Sequence, residues 1–373
     1  MNNLNYVTYQ TFPAFTANSI QTISNIKYFI KNDVNVSLYF PLREQSSTKD
    51  VNKLKDFYSI NEDFEAIGIK HNLPFGKVKS FNRIWFLISH FVWSYKTVKW
   101  LHHNKTSSEF FFTRSDWVFY FLSRYNRNVI YECHQYTKIR KYLINQSLKR
   151  ENSKIIFLNE NLKKDYEKKY KLNRNYIVLH NGVDLEHYVF DVSNKKNKNE
   201  LIFIGKLTRF GKSRGINFLL EALVLLDARY TLKIVGAKKS EINYLKTLVK
   251  EMGIENRVHL YQQVNFFEVS KHLLTPSVGV LINSSSNIHS TSYTSPLKYF
   301  EYLAAGLKII AVDFPSHRNL PFSENIEFYQ EGDLKSFVSA IKKLEDISVP
   351  NSEILRFISL DTRAKKIIDF LRV

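Results

Sequence analysis

Four hydroxyl side chains, Thr291, Ser292, Thr294 and Ser295, lead into Pro296 and then into the string LKYFEYLAAG, which carries Lys298 and Glu301. Proline suits the first position of a helix, and Ser295 before it is the expected N-cap. Leu297, Phe300, Leu303 and Ala304 recur at helical spacing, Gly306 is placed to end the helix, and Leu307 to Val312 reads as a buried strand. A helix start offers free N–H groups and about half a positive charge. With hydroxyls before it and Lys298 in its first turn, it can hold a phosphate. Glu301, one turn further on, can accept hydrogen bonds from two vicinal ribose hydroxyls whose diphosphate rests on the helix tip. The plainer alternative has the hydroxyls merely capping the helix and Glu301 paired with Lys298 on a wet face.

Three other groups can do chemistry. Strand VIYEC, residues 129–133, ends at His134, which is therefore expected at the carboxyl end of a parallel sheet, where ligands bind. Strand alternation is read as turning Glu132 to the other face, in a structural role. The segment GKLTRFGKSRG, following an apolar strand at 201–204, holds four cations, Lys206, Arg209, Lys212 and Arg214, in a loop open to anions or simply to water. Near the N-terminus Thr16, Asn18 and Ser19 open a helix, either as its cap or as contacts to a ligand.

The elements that must position these residues alternate between strand and helix. Strands are expected at Tyr6–Tyr9, Val34–Phe40, Glu109–Thr113, Val129–Cys133, Lys154–Leu158, Tyr176–Leu179, Leu201–Ile204, Leu232–Val235, Arg257–Tyr261, Val278–Ile282 and Leu307–Val312. Residues 42–80 read as polar and irregular, and 191–200 as a lysine-rich loop. Ile84–Leu101 is apolar and aromatic on more than one face; a crossover helix packed on a sheet is the favoured reading, with Trp93 and Trp100 as candidates for an interfacial role. Asn181-Gly182, inside HNGVDLEHY, marks a sharp turn that closes a first domain. The pattern predicts an α/β protein with two Rossmann-like domains, 1–183 and 184–373, facing a central cleft.

Composition narrows the class. The 373 residues are 44% hydrophobic and 24% charged, with only 11 glycines and 8 prolines, so the chain is neither disordered nor low in complexity. Cys133 is the single cysteine, which excludes an internal disulfide and fits a reducing compartment. No signal peptide or long apolar run is visible, so a cytoplasmic location is expected. The net charge of +19 asks for an anionic partner. Residues 1–185 hold 28 Lys and Arg against 15 Asp and Glu, net +13, and residues 186–373 hold 26 against 20, net +6. The excess would attract nucleic acid, an anionic membrane surface or a lipid-diphosphate acceptor, with a merely basic surface as the alternative.

The string SPLKYFEYLAAG resembles the donor-phosphate helix of retaining GT-B glycosyltransferases of family four (glycosyl transferases group 1), and HNGVDLEHY resembles their interdomain connection. The resemblance spans most of the chain. It implies sugar transfer, with retention of configuration, from a nucleotide-sugar to a glycan or lipid-linked acceptor, as in cell-surface polysaccharide synthesis. It further implies Glu301 on the ribose and Thr294, Ser295, Pro296, Leu297 and Lys298 around the phosphates. Lys206 and Arg214 would neutralise the diphosphate, with Arg209 and Lys212 as alternates in a loop longer than usual. Val264 would touch the nucleobase through its main chain, His134 would reach the transferred sugar as the catalytic residue, and Thr16, Asn18 and Ser19 would lie on the acceptor side, with a terminal helix at 361–373 crossing back to the first domain. A second glutamate common in the family is here Tyr293. No Asp-x-Asp pair occurs, so no metal or other cofactor is expected. The rival readings are a GT-B protein that binds a nucleotide-sugar without turning it over, a sugar-nucleotide epimerase, and a basic nucleic-acid-binding protein, which no recognised motif supports.

Overall fold

The computed structural model describes residues 3–43, 47–73, 82–106, 109–188, 196–209, 212–344 and 352–372, with the backbone alone for 82, 83, 209, 212 and 352. The chain divides into two compact units. One comprises Met1–Leu179 with Leu360–Val373, the other His180–Ser359. The division precedes His180 rather than following Val183, so the HNG turn belongs wholly to the second unit.

Seven strands form the first sheet: β1 (Asn3–Val7), β2 (Asn35–Leu42), β3 (Glu65–Lys70), β4 (Phe110–Thr113), β5 (Asn128–Cys133), β6 (Ser153–Phe157) and β7 (Tyr176–Val178). Their order is β3-β2-β1-β4-β5-β6-β7, and every pairing is parallel. Parallel strands buried on both faces read as near-continuous apolar runs, as in β4 (FFFT) and β5 (NVIYEC). The order reverses between β1 and β4, where Val7 lies opposite Thr113. Such a switch point leaves a crevice at the carboxyl ends of the strands.

The region 42–80 is less irregular than its polarity suggests. It contains a helix, Val51–Tyr58, capped by Asp50, and the edge strand β3, whose EAIGIK is half-exposed and so lacks the apolar run of an inner strand. The helix Asn82–Asn104 buries Trp93, Val98 and Leu101. Trp93, at 1% exposure, is a core residue and not interfacial, whereas Trp100 is 45% exposed. The terminal helix Leu360–Arg372 packs against the helix Ala17–Ile30 in the same unit, with Asn32 donating to Asp361 at 2.9 Å.

The second unit repeats the plan. Its strands are β8 (Asn197–Ile204), a two-strand ribbon of β9 (Thr208–Arg209) and β10 (Lys212–Ser213), then β11 (Thr231–Ala237), β12 (Val258–Gln262), β13 (Pro276–Leu281), β14 (Lys308–Val312) and β15 (Ile326–Tyr329). The main sheet runs β12-β11-β8-β13-β14-β15, all parallel, with its switch point between β8 and β13. Residues expected to be loop at 197–200 already belong to β8. One core cluster, including Ile202, Ile204, Tyr299, Tyr302, Leu303 and Ile309, pins the helix Leu297–Ala304 to the sheet. Among the described residues no helix is long and apolar enough to cross a membrane.

Candidate functional site

In the second unit the site grows from Gly205, the residue that ends β8. Its φ of +132° is one that side chains rarely allow, and a Cβ there would stand 2.3 Å from the Nζ of Lys298. Glycine at this point lets the ammonium lie against the backbone. Lys298 Nζ sits 4.2 Å from the centroid of the Phe203 ring, and the Arg214 guanidinium flanks the same ring at 5.8 Å. Two cations from different elements thus meet at the switch point. Arg214 comes from the end of the ribbon, closed by Arg214 N–H donating to Leu207 O at 2.8 Å, and Lys298 from the first turn of the helix.

Arg214 is aimed by a chain that the sequence did not reveal. Its Nη2 reaches Ile282 O at 3.4 Å and Asn283 Oδ1 at 3.5 Å, just past β13. The Asn283 amide donates to His317 Nε2 at 3.2 Å, and His317 Nδ1–H donates to Val312 O at 2.7 Å. Burial pushes the His317 imidazole down to about 4, so it stays neutral and keeps this tautomer. Lys206 is exposed beside Gly205, while the side chains of Arg209 and Lys212 lie outside the described residues.

Glu301 does not lie on a wet face. It is 8% exposed, and burial raises its carboxyl to about 7 despite the opposing influence of Lys298. Ser295 is not the N-cap either. The helix starts at Leu297 with Pro296 at the cap position, and the Ser295 hydroxyl instead accepts from Asn181 N–H at 3.1 Å, while Ser295 O accepts from the Asn181 amide at 2.5 Å. The HNG turn therefore clamps the stretch before the phosphate helix. His289–Tyr293, expected as loop, forms one π-helical turn, and Tyr293 and Thr294 are buried. Val264, after β12, packs on the cluster that holds Tyr299, and the adjoining Gln263 N–H donates to Ala237 O at 3.1 Å.

The first unit carries a second constellation at the carboxyl ends of β4 and β5. His134 donates from Nε2 to Glu132 Oε1 at 2.5 Å, and its Nδ1 accepts from Arg114 Nη2 at 3.0 Å. Glu132 and His134, two residues apart, lie on the same side of the strand, which corrects the expectation that they face apart. Burial alone would raise the Glu132 carboxyl, but Arg363 at 2.6 Å, with His134 and Arg114, holds it well below the usual carboxylate range. Burial and the adjoining Arg114 guanidinium push His134 down to about 4 against the pull of Glu132. The imidazole is neutral at pH 7 with both nitrogens engaged. Thr16 caps the helix Ala17–Ile30 by accepting from Ser19 N–H, and the two hydroxyls bond each other at 2.8 Å. Asn18 Oδ1 is buried with no hydrogen-bond partner among the described residues. A cavity of about 700 Å³ lined by Asn35, Ser37, Glu65 and Glu109 opens at the opposite, amino-terminal end of the strands and involves none of these groups.

Both units are Rossmann-like and together have the GT-B fold. Solved structures share it over the whole chain at low identity. A sucrose-phosphate synthase from Thermosynechococcus elongatus aligns with a TM-score of 0.65 and 14% identity, covering 100% of this chain and 95% of its own. The lipopolysaccharide outer core galactosyltransferase WaaB, in its apo form, gives 0.64 and 13%, with 100% of both chains covered. HepE from Anabaena, solved in complex with UDP and glucose, gives 0.59 and 13%, covering 100% of this chain and 98% of its own. Residues 198–346, which lie within the second unit, match the family model for glycosyl transferases group 1. No curated protein matches the sequence.

Proposed function

We propose that the chain is a retaining glycosyltransferase that moves a sugar from a nucleotide-sugar to a hydroxyl of a glycan or lipid-linked acceptor, without a metal ion, in cell-surface polysaccharide synthesis. The observation that carries this reading is the meeting of Arg214 and Lys298 at Gly205, with buried Glu301 one turn along the same helix. Two cations and a helix start suit a diphosphate, and a buried carboxylate beyond them suits the ribose. As the glycosidic bond breaks, the departing diphosphate gains charge, which Lys298, Arg214 and the helix dipole offset in place. The acceptor hydroxyl forms the new bond on the same face and passes its proton to the leaving phosphate, so no titratable nucleophile is required. The match at 198–346 to a glycosyl transferase family supports this assignment.

A thermal-shift panel of nucleotide-sugars tests it, because a ligand that binds only the folded state raises stability with ln(1 + [L]/Kd). The UDP-sugars come first, since UDP is the nucleotide bound to HepE. A panel with no stabilising member sinks the proposal.

The same reading sets the first unit on the inner face of an anionic membrane. On the helix Asn82–Asn104, Ile84, Leu87, Ile88, Phe91 and Tyr95 share one face and are 41–52% exposed, with Lys96 and Lys99 exposed alongside. That arrangement suits an interfacial helix, each nearby lysine contributing about 1 kcal/mol against anionic lipid. In vesicle flotation the protein should rise with anionic liposomes and not with neutral ones. Equal flotation with both removes the charge argument.

A further inference from the structure

Arg114 is the first residue after β4, beside the point where the first sheet reverses its order. Its side chain is only 9% exposed. Nη2 is engaged by His134, and Nε stands 3.6 Å from Glu132 Oε1, beyond hydrogen-bond range. Nε and Nη1 are buried with no acceptor among the described residues. Native proteins satisfy most buried N–H groups, through ordered water where no side chain serves, so two on one guanidinium leave room for an acceptor from outside the chain.

The local charge count points the same way. Glu132 is fully buried, and its carboxylate already accepts 2.6 Å and 2.5 Å bonds from Arg363 and His134. With a neutral histidine, one carboxylate faces two guanidiniums, leaving a net single positive charge. An uncompensated buried cation is costly. On the β1 side of the same switch point Thr11 Oγ1 and Asn18 Oδ1 are also buried without partners among the described residues, which adds polar groups able to meet a hydroxylated ligand.

We propose that Arg114 anchors an oxyanion carried by the acceptor, a phosphate or a carboxylate, through the N–H groups that Nε and Nη1 leave unused. The proposal rests on the reading of the chain as a glycosyltransferase whose first unit takes the acceptor. His134 is then a positioning residue, its Nδ1 fixing the guanidinium and its Nε2 tied to Glu132. The two sources of negative charge differ in chemistry: a lipid-linked acceptor presents phosphate, and an acidic sugar presents carboxylate.

The test is calorimetric titration of the whole chain with inorganic phosphate and, separately, with glucuronate, for wild type, Arg114→Gln and the paired variant Lys298→Met with Arg214→Gln. Wild type should take up phosphate in the second unit and one of the two probes in the first, and a first unit that takes up neither overturns the proposal. Arg114→Gln should keep its fold by circular dichroism and lose the site in the first unit, while the paired variant loses only that in the second. Glucuronate binding that disappears in Arg114→Gln assigns a carboxylate, and phosphate binding that disappears assigns a phosphate. Arg114→Gln binding both probes as wild type does would overturn the proposal. A paired variant that still binds two phosphates would instead count against the donor assignment. Should Arg114→Gln fail to fold, Arg114→Lys carries the test. It keeps the charge but lacks the planar fork that meets His134 and an oxyanion in fixed directions, so binding should weaken by about tenfold, and unchanged affinity overturns the proposal equally.

Discussion

The two switch points of this chain use cations in opposite ways. In the second unit Arg214 and Lys298 are steered by a carbonyl, an amide and an aromatic ring, and the carboxyl of Glu301, on the same helix as Lys298, is raised to about 7 by burial and is only about half ionised at neutral pH. In the first unit Arg114 shares a fully ionised carboxylate with Arg363 and a neutral histidine. The first arrangement brings two cations together at one switch point, which suits a multiply charged ligand. The second leaves a single charge in a rigid setting, which suits orienting one group more than binding a diphosphate.

The largest effect should come from stripping the second unit of its charge. Lys298→Met with Arg214→Gln removes two charge-assisted contacts worth about 1.5–3 kcal/mol each, so nucleotide-sugar affinity should fall by more than about a hundredfold by calorimetry. Arg114→Gln should leave that affinity within a few-fold, and equal losses from both would erase the contrast between the switch points.

His134→Ala comes next. It should retain nucleotide-sugar binding within about a factor of ten while losing on the order of a hundredfold in turnover, as expected when its loss misplaces Arg114 and the acceptor that Arg114 holds. Because the imidazole is pushed down to about 4, the pH–rate profile should show no histidine step between pH 5.5 and 8. Normal turnover in the variant makes His134 a packing residue.

Glu301→Ala should weaken donor binding by about 1.5–3 kcal/mol with the fold intact. A smaller effect appears with pH. As Glu301 ionises through about 7 it gains acceptor capacity for ribose hydroxyls, so donor affinity should rise between pH 6 and 8 in wild type and stay flat in Glu301→Gln. Stability moves the other way. The raised pKa means that the folded state holds a proton the unfolded chain releases near 4.5, so stability falls as pH rises from about 4.5 to about 7. Glu301→Gln should therefore melt higher than wild type at pH 8. A lower melting temperature would mean that the carboxylate is stabilised by contacts stronger than the cost of its burial.

Much of this was legible in the chain. The alternation of apolar runs and helical spacing predicted both sheets, and the proline and hydroxyls before Leu297 located the helix that carries Lys298 and Glu301. What escaped was set by neighbours distant in sequence. Ser295 reads as a cap until Asn181, 114 residues away, takes its hydroxyl and its carbonyl. Arg114 reads as the first residue of a polar loop until β5 brings Glu132 and His134 against it. Asn283 and His317 carry no local signal, since the contacts that link them to Arg214 are made across the fold. Strands β3 and β15 were missed because an edge strand needs only one apolar face. The helix cap at Thr16 and Ser19, by contrast, is a local matter and was readable as such.

The ion pair between Arg363 and Glu132 joins the terminal helix to a strand 231 residues earlier. This places the completion of the first unit late in time. As the chain emerges from the ribosome, β5 is available long before the helix Leu360–Arg372, and until that helix arrives Glu132 lacks the guanidinium that compensates it. The second unit, whose residues run without interruption from His180 to Ser359, has its full sequence first. The second unit therefore has its whole sequence before the first does, and Glu132 gains its Arg363 partner only once the helix Leu360–Arg372 has been made.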